Sequence, residues 1–115
     1  LLLSGANSWS GGTWINEGAL RLEANNYSAI ASNTDYVLTG GLLDLNGNEL
    51  RMRSLIGTGG EISIDGTTLT IAQDADTIYA GTITGNGFNS NLVKTGSGML
   101  VLSGNNNYWG NTTIN

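Results

Sequence analysis

Nine carboxylates carry whatever acid–base chemistry this chain can do, because it has no His, no Cys and a single lysine, Lys94. They are Glu17, Glu23, Asp35, Asp44, Glu49, Glu61, Asp65, Asp74 and Asp76. Glycan cleavage by carboxylates needs two of them facing one bond, or a metal beside them. Asp44-Leu45-Asn46-Gly47-Asn48-Glu49 opens like a calcium loop, yet its glycine comes two places early and its twelfth position is Leu55. Asp74-Ala75-Asp76 offers two more carboxylates in a turn-rich stretch and is a second calcium candidate. Neither matches the Gly-Gly-x-Gly-x-Asp calcium repeat. Trp9, Trp14, Tyr108 and Trp109 form the other candidate set, since exposed aromatic rings stack on sugars or anchor protein partners.

The elements that must position these residues follow from a repeat. Leu1–Asn16 (LLLSGANSWSGGTWIN) and Leu100–Asn115 (LVLSGNNNYWGNTTIN) match at nine of sixteen positions, at an offset of 99 residues, with Trp9 answered by Tyr108. That equivalence favours aromatic stacking between rungs over ligand binding. A shorter period lies inside. Leu43, Leu45, Leu50 and Met52 alternate with polar residues, and a step of 19 leads to Ile62, Ile64, Leu69 and Ile71. The same step takes Leu1 and Leu3 to Leu20 and Leu22, Ile64 to Ile83, and Ile83 to Leu102. Five such steps, averaging roughly 20 residues, fill the longer period, which is the rung size of a β-solenoid.

Each rung reads as half-buried strands such as Leu43-Asp44-Leu45 and Ile62-Ser63-Ile64, separated by Asn-Gly, Asp-Gly and Ser-Gly turns. Asn-Gly also marks antiparallel hairpins, but there matching residues run in mirror order. Here they recur in the same order, so strands stack in parallel. The expected fold is all-β: a right-handed parallel β-helix of about five rungs, without helices, occupying 1–115 as one segment. Asn7 and Asn106, just past their Ser-Gly turns, are expected to bond neighbouring turn backbones.

The period also tests the acids. Asp44 projects onto Ser63 and Asp65 back onto Asn46, so carboxylates do not stack on one another. Thr68 and Thr70 project back onto Glu49 and Arg51, so no threonine row persists. No catalytic, cofactor-binding or metal residues are assigned. A net charge of −5 excludes the basic stripe a nucleic-acid binder needs. No apolar run reaches the ~18 residues of a membrane span. The absence of an initiator Met and the unfinished second copy of the motif suggest a piece of something longer.

Leu92-Val93-Lys94-Thr95-Gly96-Ser97-Gly98-Met99-Leu100-Val101-Leu102-Ser103-Gly104, followed by Asn106, Tyr108, Gly110 and Thr112–Asn115, resembles the autotransporter-associated β-strand repeat. Gly41–Gly60 and Thr82–Gly87 are similar to the material between two such repeats, and the pattern is weakest over Asn25–Tyr36. The resemblance implies export, display at a bacterial cell surface in association with the outer membrane, and a role as passenger stalk. Cell-surface proteins or glycans are the partner classes it implies, and the open ends of the stack suggest self-association with adjacent rungs. Two alternatives stay open: the substrate-binding part of a β-helix carbohydrate-active enzyme, and a filament subunit that stacks end to end.

Overall fold

The computed structural model describes all 115 residues as fifteen short strands and no helix. Coil 1 holds β1 (Leu2–Leu3) and β2 (Thr13–Ile15), and coil 2 holds β3 (Ala19–Leu22) and β4 (Asp35–Leu38). Coil 3 contains β5 (Leu42–Asp44), β6 (Leu50–Met52) and β7 (Ser54–Gly57). In coil 4 these become β8 (Glu61–Ser63), β9 (Thr68–Ala72) and β10 (Thr77–Tyr79). Coil 5 has β11 (Thr82–Gly85), β12 (Asn91–Thr95) and β13 (Leu100–Leu102), and β14 (Asn107–Tyr108) and β15 (Thr112–Ile114) begin a sixth.

Every strand pair is parallel, and the strands sort into three sheets. Sheet A runs β1-β3-β5-β8-β11-β14, sheet B runs β2-β4-β7-β10-β13, and sheet C runs β6-β9-β12-β15. The chain therefore climbs a parallel β-solenoid, visiting A, C and B in each turn. Sheet C has no strand in the first two coils. Over Asn25–Asn33, where the sequence pattern is weakest, turns replace it: Ala29, Ile30 and Ala31 still point inward, and Ser32 and Asn33 bond to the Arg51 carbonyl.

Period-two alternation puts one side chain in two inside the coil, where it stacks on its counterparts at the ~4.8 Å strand spacing. In sheet A, Leu20, Leu43, Ile62 and Ile83 form one such column. In sheet C, Leu50, Leu69 and Leu92 form another. Leu45 and Ile64 are both fully buried in the shared core.

The step between coils is not constant. In sheet A it is 19 residues from Leu2 to Arg21, 23 from Leu20 to Leu43 and 19 from Leu43 to Ile62. It is then 21 from Ile62 to Ile83 and 23 from Thr84 to Asn107, an average of 21. Two expected matches are therefore corrected: Ile83 lies over Ile62, not Ile64, and Leu102 lies in sheet B over Tyr79. Turns that vary by two to four residues absorb the difference, because bends tolerate insertions that strands do not.

The 99-residue offset is corrected too. Leu2–Leu3 belong to sheet A but Leu100–Leu102 to sheet B, and Thr13–Ile15 belong to sheet B but Thr112–Ile114 to sheet C. The second copy of the motif sits one face around from the first. At 21 residues per coil, 99 residues make about four turns and two faces, not five turns.

Candidate functional site

Several of the acids are placed where they tie one coil to the next. Asp65 Oδ1 accepts the Asn86 N–H at 2.7 Å, Asp74 Oδ1 accepts the Ser97 N–H at 3.0 Å, and Asp76 Oδ1 accepts the Met99 N–H at 2.7 Å. Each partner is one coil further on, so a charge-assisted bond closes a turn that the sheets leave unpaired. The calcium candidates Asp74 and Asp76 are thus both engaged by coil 5 backbone, and no group of three His, Cys, Asp or Glu lies close enough to hold a metal. Asp44 caps its own turn through the Asn46 N–H and lies 3.5 Å from Arg21, with Ser63 beside it in register. Arg53 bonds Asp35 through two nitrogens, at 2.9 and 2.6 Å, and holds that carboxyl below its usual range, helped by Ser54.

Asparagines do the same work with neutral groups. Asn7 Nδ2 donates to the carbonyls of Ser4 and Ala29, and Asn106 Oδ1 accepts the Ile83 N–H, each reaching the neighbouring coil. Asn48, fully buried, donates to Glu23 and Leu45 carbonyls while accepting the Asn26 N–H. Gln73 is the densest of these ties. Its Oε1 accepts the buried Leu55 N–H, and its Nε2 donates to Ala75 O, Thr77 Oγ1 and Met99 O, joining coils 3, 4 and 5. Lys94 occupies an inward register position beside Ile71, and its ammonium reaches out to the Gln73, Thr95 and Gly96 carbonyls.

The four candidate aromatics do not form one site. Trp9 and Trp14 lie on coil 1, Tyr108 and Trp109 on coil 6. Trp9 and Tyr108 pack against the core, each bonding a threonine four residues on: Nε1 to Thr13 Oγ1 at 3.0 Å, and the hydroxyl to Thr112 Oγ1 at 2.7 Å. They play the same local part at opposite ends and do not stack on one another, which corrects the expectation of stacking between rungs. Trp109 is exposed and meets Phe88 edge-on, with ring centroids 6.1 Å apart.

Trp14 belongs to a feature that reasoning from single aromatics missed. It pairs with Val37, and Val37 with Ile56. Gly57 pairs with Tyr79, which sets Ile56 beside Ile78, and Ile78 pairs with Val101. The five side chains make an apolar ladder up the outer face of sheet B. Trp14, Ile56 and Ile78 are 61%, 43% and 57% exposed, and Met99 at 59% widens the upper end around a depression of ≈ 380 Å³. The outer positions of sheet A, in contrast, include Arg21, Asp44, Ser63 and Thr84, and those of sheet C include Arg51 and Thr70. A clue was present: Thr-Trp-Ile, Tyr-Val-Leu, Leu-Ile-Gly, Thr-Ile-Tyr and Leu-Val-Leu keep an apolar residue at the middle position, where a half-buried strand would place a polar one. A fixed step of 19 scatters these triplets; steps of 19 to 23 align them.

The passenger-associated-transport-repeat family model matches residues 1–22 and 92–115, the two copies of the motif. A curated relative, "Adhesin BmaC autotransporter" of Brucella suis biovar 1 (strain 1330), is 38% identical over 121 residues, across all of this chain. The chain spans 4% of that protein's length. No solved structure matches. With a parallel solenoid between them, the two ends of the chain carry the passenger-associated-transport repeat of autotransporter passengers.

Proposed function

We propose that this segment is structural: a stalk section of a surface-displayed, outer-membrane-associated adhesin-like passenger. The observation that supports this best is the continuity of the three sheets. Each runs through successive coils in parallel register, and side-chain ties from Asp65, Asp74, Asp76 and Gln73 bind one coil to the next. Such a stack resists bending, because the backbone hydrogen bonds between strands run along the axis, and it lengthens by adding coils. The relative is named an adhesin, and this chain spans only 4% of it, which favours a spacer over a self-contained catalyst.

Removing one whole coil tests the reading. Leu43 and Ile62 occupy the same register position, so deleting 43–61 from the parent protein keeps the columns aligned and shortens the rod by ~4.8 Å. A spacer keeps its adhesion after this loss. Abolished adhesion with an intact fold would place the binding site in the segment and end the spacer reading.

A further inference from the structure

We propose that the outer ladder of sheet B is the surface on which a second copy of this chain lies alongside the first, sheet against sheet. The proposal deepens the structural reading above, by naming what a stalk section touches. The ladder repeats an apolar side chain once per strand for five strands, so a surface that fills it must also be apolar at ~4.8 Å intervals. A second solenoid carries that spacing along its whole height, whereas a compact ligand meets two or three rungs. Sheets packed face to face at about 10 Å let such side chains interdigitate.

Charge on this face permits such a partner. The chain carries −5 overall, so two copies repel across most of their surface. Around this face Asp35 is neutralised by its two bonds to Arg53, Asp76 Oδ1 accepts the Met99 N–H, and Glu17 and Asp74 lie at the edges, beside Trp14 and Arg53. The column beside the ladder holds exposed, uncharged Thr39, Thr58 and Ala80. The ladder itself is uncharged, so like copies meeting on this face keep their carboxylates at its margins.

Area sets the strength. Five strands at ~4.8 Å and about five residues of width at ~3.3 Å give roughly 400 Å² per copy. A stable interface needs about 800 Å² per partner, so this chain alone associates weakly. A closed pair is isologous, and Ile56, third of the five rungs, meets its own counterpart whether the copies run parallel or antiparallel.

Sedimentation equilibrium of the 115-residue chain between roughly 10 µM and 1 mM, where a weak small interface becomes populated, reads the association. The average mass should climb toward that of a dimer. The double variant I56T/I78T, β-branched and strand-compatible, should shift the climb at least about tenfold in concentration, with circular dichroism and melting unchanged. A second reading does not depend on that variant. The chain has no Cys, so Ile56→Cys treated with a bismaleimide long enough to span the ~10 Å between packed sheets should cross-link far faster than Thr70→Cys on sheet C. A chain monomeric throughout the range, association indifferent to I56T/I78T, or equal cross-linking at both cysteines would overturn the proposal. A monomeric stalk can still space two domains, so this failure is distinct from that of the stalk reading.

Discussion

Replacing Gln73 by Leu isolates what the polar ties contribute. The side chain is buried and bonds groups in three coils: Leu55 N–H at 3.3 Å, Ala75 O at 3.0 Å, Thr77 Oγ1 at 2.9 Å and Met99 O at 3.1 Å. Leu has similar volume, so little cavity forms and the change is one of hydrogen bonding. The Leu55 amide, on a residue with no exposed surface, is left without that acceptor, which costs about 1–3 kcal/mol. Met99 O keeps the Thr77 N–H, so its loss is smaller, and the two remaining bonds are worth about 1 kcal/mol each. Against this, the apolar side chain returns roughly 1 kcal/mol. The net loss is about 3 kcal/mol, or roughly 12 °C in Tm for a domain of this size. Urea unfolding followed by circular dichroism measures it, and hydrogen exchange at Leu55 should accelerate with it. A loss below about 1 kcal/mol would refute the idea that these ties, beyond the aliphatic columns, hold the coils in register.

Three other outcomes follow from the same geometry. Gly57→Ala drives a Cβ into the Leu38 carbonyl oxygen, so strand β7 must move; unfolding should show a loss of about 3 kcal/mol or more, and a neutral result would mean the sheet B spacing is wrong. Burial raises the Tyr36 hydroxyl to about 12 from 10, so the folded state keeps its proton where the unfolded chain loses it. Stability from this group is therefore complete below pH 10 and falls between pH 10 and 12 by up to about 3 kcal/mol, and Tyr36→Phe should flatten that part of the curve in alkaline melts. Asp76→Ala should cost about 1 kcal/mol by freeing the Met99 N–H, whereas Asp76→Asn, which keeps an acceptor, should cost less; equal losses would assign the effect to charge instead.

Much of the coil was legible because two signals coincide in it. Alternation in Leu43-Asp44-Leu45 and Ile62-Ser63-Ile64 marks strands, and their recurrence in unchanged order marks parallel stacking. The step of 19 held from Leu1–Leu3 to Leu20–Leu22 and from coil 3 to coil 4, where the turns match in length. It failed at Ile83 and Leu102, since the turns before them carry extra residues and nothing in an alternating pattern counts turn length. That failure hid the ladder. Trp14, Val37, Ile56, Ile78 and Val101 line up only after steps of 23, 19, 22 and 23 residues. The inter-coil roles of Asp65, Asp74 and Asp76 were hidden for the same reason, since their partners lie 21 to 23 residues away.

The displacement of the repeat by one face bears on how a longer molecule of this kind would look from outside. If units of 99 residues were laid end to end unchanged, each would be turned a third of the way around the rod relative to the one before. Any surface marking would wind about the axis like the stripe on a barber's pole, returning to its starting direction every third unit. A passenger that must keep one side toward its neighbours would then have to adjust the length of its turns, and lengths of 19 to 23 residues per coil show that the fold permits this.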